Sequence, residues 1–229
     1  RGQRSINDIW NNKFSVLLGD FMFSKSFQLM TKGNSLSAME SLAEVSSKIS
    51  EGEFLQLSNE QNMNIKIEEY INIISLKTAE LFGAAMKVPA ILTNKSPKLI
   101  KQLNTLGVNY GIIFQIIDDN LDYFGGKEIG KVIGQDFLEG KVTLPIILLL
   151  KKINKDQKEK INTLFQKKKR TIKELKEIIK LLQKYEIEQE CREYAEKISV
   201  KSLIILNNFK NKQSQLLKEL LVTSIKREN

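Results

Sequence analysis

The stretch Gln115-Ile116-Ile117-Asp118-Asp119-Asn120-Leu121-Asp122 places three carboxylates within five residues, at the end of an apolar run. At about 100° per residue, Gly111, Gln115, Asp118 and Asp122 fall along one helical face, with Asp119 about 60° further round. Leu106, Tyr110, Ile113 and Ile117 lie opposite, while Ile112, Phe114 and Ile116 fill the flanks. A helix that is apolar nearly all round is a buried helix. Its one polar stripe is therefore expected to line an internal cavity.

The charges strengthen that expectation. Asp118 and Asp122 are a like-charge pair one turn apart, which is unfavourable. Gly125 and Gly126 follow and are expected to end the helix, so the acids crowd a terminus where the macrodipole also disfavours negative charge. A cation is needed to compensate. The chain has no histidine and one distant cysteine. A carboxylate cluster of this kind suits a hard divalent ion, Mg²⁺ being the usual one where phosphates share the coordination. A solvated acidic helix end is the alternative, and charge pattern alone leaves both open.

Composition frames the fold. Hydrophobic residues make up 41% of the 229, ample for a core, and only Pro89, Pro97 and Pro145 interrupt the chain. Long periodic stretches without strand-like alternation predict an all-α fold, a bundle of long antiparallel helices. The net charge is +9, with Lys151, Lys152, Lys155, Lys158, Lys160, Lys167, Lys168, Lys169 and Arg170 crowding one stretch. Such a run binds nucleic acid or an anionic surface, or serves as a solvated connector. No groove-reading motif accompanies it, so no nucleic-acid partner is expected. No apolar run is long enough to span a bilayer. The lone Cys191 is compatible with a reducing, cytoplasmic setting.

Taken in order, residues 7–31 read as a first helix with Trp10 in the core, Asp20 facing solvent and Gly19 permitting close packing. Ser35 caps a second over 36–57, in which Glu51-Gly52-Glu53 reads as an exposed acidic pair. A third spans 65–86, with Lys77 pairing with Glu80 and Pro89 stopping the helix. Pro97 opens the central helix over 97–123. Glycines then alternate with Lys127, Lys131 and Lys141. This segment either closes over a phosphate ligand or is an ordinary mobile loop; it is not a P-loop, since no Gly-Lys-Ser/Thr ending is present. Thr143-Leu144-Pro145 opens another helix. Amphipathic helices over 156–167, 171–185, 187–209 and 212–226 read as scaffold and dimer surface.

These residues resemble a known family. Phe114 to Asp122 resembles the second aspartate-rich motif of the trans-isoprenyl diphosphate synthases. Gly130-Lys131 and Gly134-Gln135-Asp136-Phe137-Leu138-Glu139-Gly140-Lys141-Val142-Thr143-Leu144-Pro145 look like its continuation, and Lys77-Thr78 like its helix-borne Lys-Thr pair. Trp10-Asn11-Asn12 and Leu18-Gly19-Asp20-Phe21 resemble the helix after the first aspartate-rich motif, and Arg1-Gly2 the end of the Arg-Arg-Gly following that motif. The likeness is greatest to long-chain, octaprenyl-type synthases of quinone biosynthesis.

The resemblance implies helices around a deep cavity and head-to-tail condensation of an allylic diphosphate with isopentenyl diphosphate. It implies Mg²⁺ at Asp118, Asp119 and Asp122, with Asp118 the direct ligand. Lys77, Thr78, Lys131 and Lys141 would contact the allylic diphosphate, with Lys77, Gln115 and Asp118 closest to the chemistry. Phe114 would pack near the isopentenyl group, and Arg1 would contact its diphosphate. A homodimer is implied as well. Gln135 stands where many relatives carry an acid. A first Asp-Asp-x-x-Asp motif upstream of the second does not occur in these residues. The expectation is thus a single synthase domain over 1–229, incomplete at its amino terminus. The alternative is a non-catalytic or degenerate helical subunit.

Overall fold

The computed structural model describes residues 5–125 and 133–227, and every regular element among them is helical. The chain begins with α1 (Ile6–Ile9), α2 (Asn12–Lys32) and α3 (Leu36–Ser58). The expected first helix is broken at Trp10-Asn11, because Asn11 leaves helical geometry to cap α2 by accepting from the Phe14 amide. Ser35 caps α3 in the same way through Ala38. Trp10 is not core: it is 62% exposed, and α2 buries none of its residues. Around Gly19 a methyl group would meet nothing, so no close packing involves it among the described residues.

The third expected helix is three pieces in one rod: α4 (Ile67–Ile74), a π-helical turn (Ser75–Ala79) and α5 (Glu80–Leu92). Pro89 does not stop it. The helix tolerates the missing amide and runs on to Leu92, ending where Asn94 takes a left-handed φ of 51°. The central helix α6 (Pro97–Phe124) follows, capped by Ser96 and closed by Gly125. Leu106, Tyr110, Ile113 and Ile117 are all buried, as the expected apolar face requires.

Next come α7 (Gln135–Glu139), α8 (Leu144–Lys152), α9 (Lys155–Phe165) and α10 (Ile172–Lys184). The chain closes with α11 (Ile187–Leu206) and α12 (Lys212–Lys226). α6 lies between α5 and α11, and α3 packs on the π turn and α5. Backbones approach closely along the α5–α6 seam. A Cβ on Gly107 would come within 2.7 Å of Gly83 Cα, and one on Gly111 within 2.8 Å of Ala79 Cβ. The core runs from α4 through α6 and α8 to α10 and α11, with Phe137 stacked edge-on against Phe165 at 5.3 Å. Arg170 is no solvated connector residue. It donates to the carbonyls of Leu138 and Phe165 and so ties the α9–α10 turn to the end of α7. No helix of the described residues is long and apolar enough to cross a membrane.

Candidate active site

The acidic end of α6 is built around four side chains. Thr78, on the π turn, donates from its hydroxyl to Gln115 Oε1 at 2.9 Å. Gln115 Nε2 donates to Asp119 Oδ1 at 2.7 Å, and the Tyr70 hydroxyl of α4 donates to Asp119 Oδ2, also at 2.7 Å. Thr78 and the acidic stripe, apart in sequence, are therefore joined by a direct hydrogen bond through Gln115.

The three acids have three different settings. Asp119 is buried and held by Tyr70 and Gln115. Asp122 accepts from the Gln135 and Asp136 amides at 3.1 and 3.0 Å, so it caps α7 and fixes the chain where it re-enters after the glycines. Asp118 is half-buried, with Oδ1 3.4 Å from Arg227 Nη2 at the end of α12. The Arg227 guanidinium also lies over the Phe114 ring at 5.2 Å, and Phe114 in turn stacks on Phe82 at 5.6 Å. Arg192 of α11 anchors this end by donating to the Ile225 and Arg227 carbonyls.

Among the described residues, burial and mutual repulsion dominate the electrostatics of these acids. Burial pushes Asp119 up to about 7, and Asp118 and Asp122 add to the rise against the pull of its two hydrogen bonds. Asp136 is raised to about 8, by burial first and then by Asp119 and Asp122. Burial works against the Lys141 ammonium, but Glu139, Asp136 and Glu53 outweigh it and hold its pKa above that of an ordinary lysine.

Of the lysines expected at the site, Lys77 and Lys141 are among the described residues, and each rests on a carboxylate. Lys77 pairs with Glu53 at 2.7 Å and donates to Gln56, rather than pairing with Glu80, which is bound to Lys48. Lys141 pairs with Glu139 at 2.5 Å, and Glu139 also feels the Lys77 charge. Lys77 and Lys141 therefore flank one electrostatic field from opposite elements. Glu51 and Glu53 are exposed, as expected, but Glu53 is also the partner of Lys77. Gly52 is buried, and a Cβ there would lie 2.8 Å from Lys77 Cα. Arg1 and Lys131 lie outside the described residues.

Sequence reasoning passed over Tyr70, Gln56 and Arg227, and read Glu53 as surface charge and not as a partner of Lys77. The spacing of Glu53 and Gln56 beside a mid-helix glycine was the one local signal among them. Tyr70 sits in an ordinary apolar stripe, and Arg227 meets Asp118 across 109 positions of sequence.

The donor set is oxygen only, which fits a hard cation. Among the described residues no three acidic or cysteine side chains converge into a cation site by themselves. The arrangement fits an ion that takes one or two carboxylates and draws its remaining ligands from phosphate and water, the usual habit of Mg²⁺.

The all-helical arrangement is that of the solved isoprenoid synthases, a decaprenyl diphosphate synthase of Rhodobacter capsulatus superposing with a TM-score of 0.91 at 34% identity over all of this chain and 71% of that one. The profile of the polyprenyl synthetase family matches residues 1–182, and the chain belongs to that family. Over 164 residues it is 40% identical to the octaprenyl diphosphate synthase of Escherichia coli, covering 71% of this chain and 51% of that protein. It is 36% identical over 166 residues to a short chain isoprenyl diphosphate synthase of Methanothermobacter thermautotrophicus, covering 70% of this chain and 51% of that protein. The chain thus spans about half the length of these relatives. A polyprenyl synthase of Caulobacter crescentus, solved with calcium and isoprenyl diphosphate, superposes with a TM-score of 0.95 at 33% identity. That match covers all of this chain and 70% of the solved one.

Proposed function

We propose that this protein is a prenyltransferase that condenses an allylic diphosphate with isopentenyl diphosphate. The observation that carries the reading is the Thr78–Gln115–Asp119 connection, which sets the Lys77-Thr78 pair against the acidic face of α6. In this reaction the allylic C–O bond breaks and diphosphate leaves with the electron pair. The isopentenyl double bond attacks the resulting cation, and loss of a proton restores a double bond. Mg²⁺, held through Asp118 within the field of Asp119 and Asp122, would neutralise the leaving diphosphate.

The chain's own residues do the rest. Lys77 and Lys141, with Lys131, bind the diphosphate by exchanging Glu53 and Glu139 for phosphate oxygens, a charge-for-charge replacement that requires no new burial of charge. Thr78 and Gln115 hold a fixed polar edge beside it, where preorganised groups need not reorient as charge develops. Phe114 and Phe82 form an apolar wall beside the reacting carbons and exclude water from the cation. Arg1 belongs to the isopentenyl diphosphate in the same reading.

A long-chain product, of octaprenyl type and serving quinone biosynthesis, accords with the Escherichia coli relative. Action in the cytoplasm as a homodimer belongs to the same proposal, the exposed Phe14, Leu17, Phe21 and Phe54 offering apolar surface for a second copy. The test incubates the complete gene product with farnesyl diphosphate, labelled isopentenyl diphosphate and Mg²⁺, then sizes the extracted prenyl alcohols. Label in long-chain products is expected; no elongation at all overturns the reading. Light scattering on the same preparation reports the number of copies.

A further inference from the structure

Four side chains on three elements form one continuous hydrogen-bond chain, from the Tyr70 hydroxyl to Asp119, to Gln115 and to Thr78. With Asp119 ionised, its polarity is fixed: a carboxylate only accepts, so the Tyr70 hydroxyl must donate to it. The other oxygen of Asp119 must also meet a donor, so Gln115 turns its NH₂ group to Asp119. Gln115 Oε1 then faces the π turn, and the Thr78 hydroxyl donates to it. Reversing the amide would set its carbonyl against the carboxylate.

Tyr70 is 3% exposed and Asp119 is 5% exposed, and they lie 49 positions apart in sequence. Of the four, Gln115 and Thr78 are half-buried and border the site, whereas Tyr70 is enclosed. Tyr70 can therefore influence the reacting groups only through Asp119.

We propose that Tyr70 is a positioning residue which, through Asp119, fixes the amide of Gln115 with its N–H toward the acid and its carbonyl toward Thr78. The proposal rests on the prenyltransferase reading of this site. It assigns Asp119 to the orientation of Gln115 and leaves the direct grip on a cation to Asp118. A tyrosine that merely stabilised the core would contribute to folding and leave the turnover of folded molecules untouched.

Two variants of the complete gene product separate these roles. Tyr70→Phe removes the donor at Asp119 Oδ2. Asp119→Asn supplies one acceptor oxygen where the carboxylate supplies two, so it cannot receive both the Tyr70 hydroxyl and the Gln115 N–H, and the connection loses its fixed direction. Folded fraction is taken from circular dichroism, and kcat is expressed per folded molecule. Both variants are expected to lose kcat roughly tenfold, in the range seen when the partner of a functional ligand is removed. KM for both diphosphates should stay within about twofold, because the orientation of Gln115 matters at the transition state rather than on binding. The double variant should be no worse than Asp119→Asn alone, since both act through one connection.

Calorimetric binding of Mn²⁺ with inorganic pyrophosphate supplies a readout independent of turnover. It should survive in both variants and be abolished in Asp118→Ala. Wild-type kcat in Tyr70→Phe, or loss of Mn²⁺–pyrophosphate binding in Asp119→Asn as severe as in Asp118→Ala, overturns the proposal. Failure of the unaltered protein to elongate any prenyl chain instead brings down the functional reading, and this assignment with it. If Tyr70→Phe does not fold, Asp119→Asn decides, being nearly isosteric.

Discussion

The acidic end of α6 and the helix α2 use their side chains in opposite ways. At the end of α6, Gln115, Asp119 and Asp122 are each engaged with distinct partners, and the apolar residues behind them are fully enclosed. Along α2 the pattern inverts, with Phe14, Leu17, Phe21, Met22 and Phe23 exposed and nothing buried. Both segments looked like core in sequence, since both are rich in large apolar residues. What separates them is the company they keep. α6 is flanked by α5 and α11, with glycine-mediated approaches to α5, whereas α2 makes only slight contact with α3. Apolar content thus states what a helix can bury, and only its neighbours decide what it does bury.

The contrast is tested most severely at Asp118. Asp118→Ala in the complete gene product should lower Mg²⁺-dependent kcat by roughly a hundredfold. The thermal midpoint should hardly move, because the side chain is half-buried. Unchanged turnover at saturating substrate would remove Asp118 from the site.

Gly52→Ala tests the wall opposite. The added methyl meets the Lys77 backbone, and overpacking of this kind costs about 1–3 kcal/mol. A drop of several degrees in the unfolding midpoint is expected, together with a higher KM for the allylic diphosphate as Lys77 is displaced. A variant as stable as the parent would mean that α3 yields at this point.

Acidity gives a third handle. The folded-state pKa values of Asp119 and Asp136 are raised from 3.8 to about 7 and about 8. The folded state then holds more protons than the unfolded one between those values, so stability should fall as pH rises from about 4 to about 8. This is opposite in sense to carboxylates held in salt bridges, such as Glu139, whose pKa Lys141 lowers. Mg²⁺ with pyrophosphate should flatten the slope, since a cation relieves the same repulsion. Unfolding midpoints across that range, with and without the ion, give the answer; a midpoint that climbs with pH would contradict the assignment.

The smallest effect is expected on α2. Leu17→Ser should change the stability of a single copy by less than about 0.5 kcal/mol, as surface substitutions do. It should weaken self-association measured by light scattering. A large loss of stability without change in association would show that α2 contributes to the core after all.

Local patterns were legible where the physics is local. Pro97 and Gly125 marked the ends of α6, and the periodicity of Leu106, Tyr110, Ile113 and Ile117 marked its buried side. The approach of Thr78 to Gln115 followed from the family likeness and not from spacing. What escaped is what depends on a partner far along the chain. Trp10 looked like core because of its size, and its exposure reflects the surface α2 presents. Gly52 and Glu53 gained meaning only once α3 lay on Lys77. Pro89 is a helix breaker by local chemistry, yet α5 carries it and runs three residues further.

The π turn at Ser75–Ala79 has a consequence for phase. Tyr70 and Thr78 are eight positions apart, which in an uninterrupted α-helix leaves them about 80° out of alignment. A turn closed by i→i+5 bonds holds an extra residue, so rotation lags and much of that offset is taken up. One rod can then present both side chains to the same neighbour, Tyr70 to Asp119 and Thr78 to Gln115. The turn behaves as an indel frozen into the helix. Removing one residue from it would leave every side chain of the network intact and still uncouple its two halves.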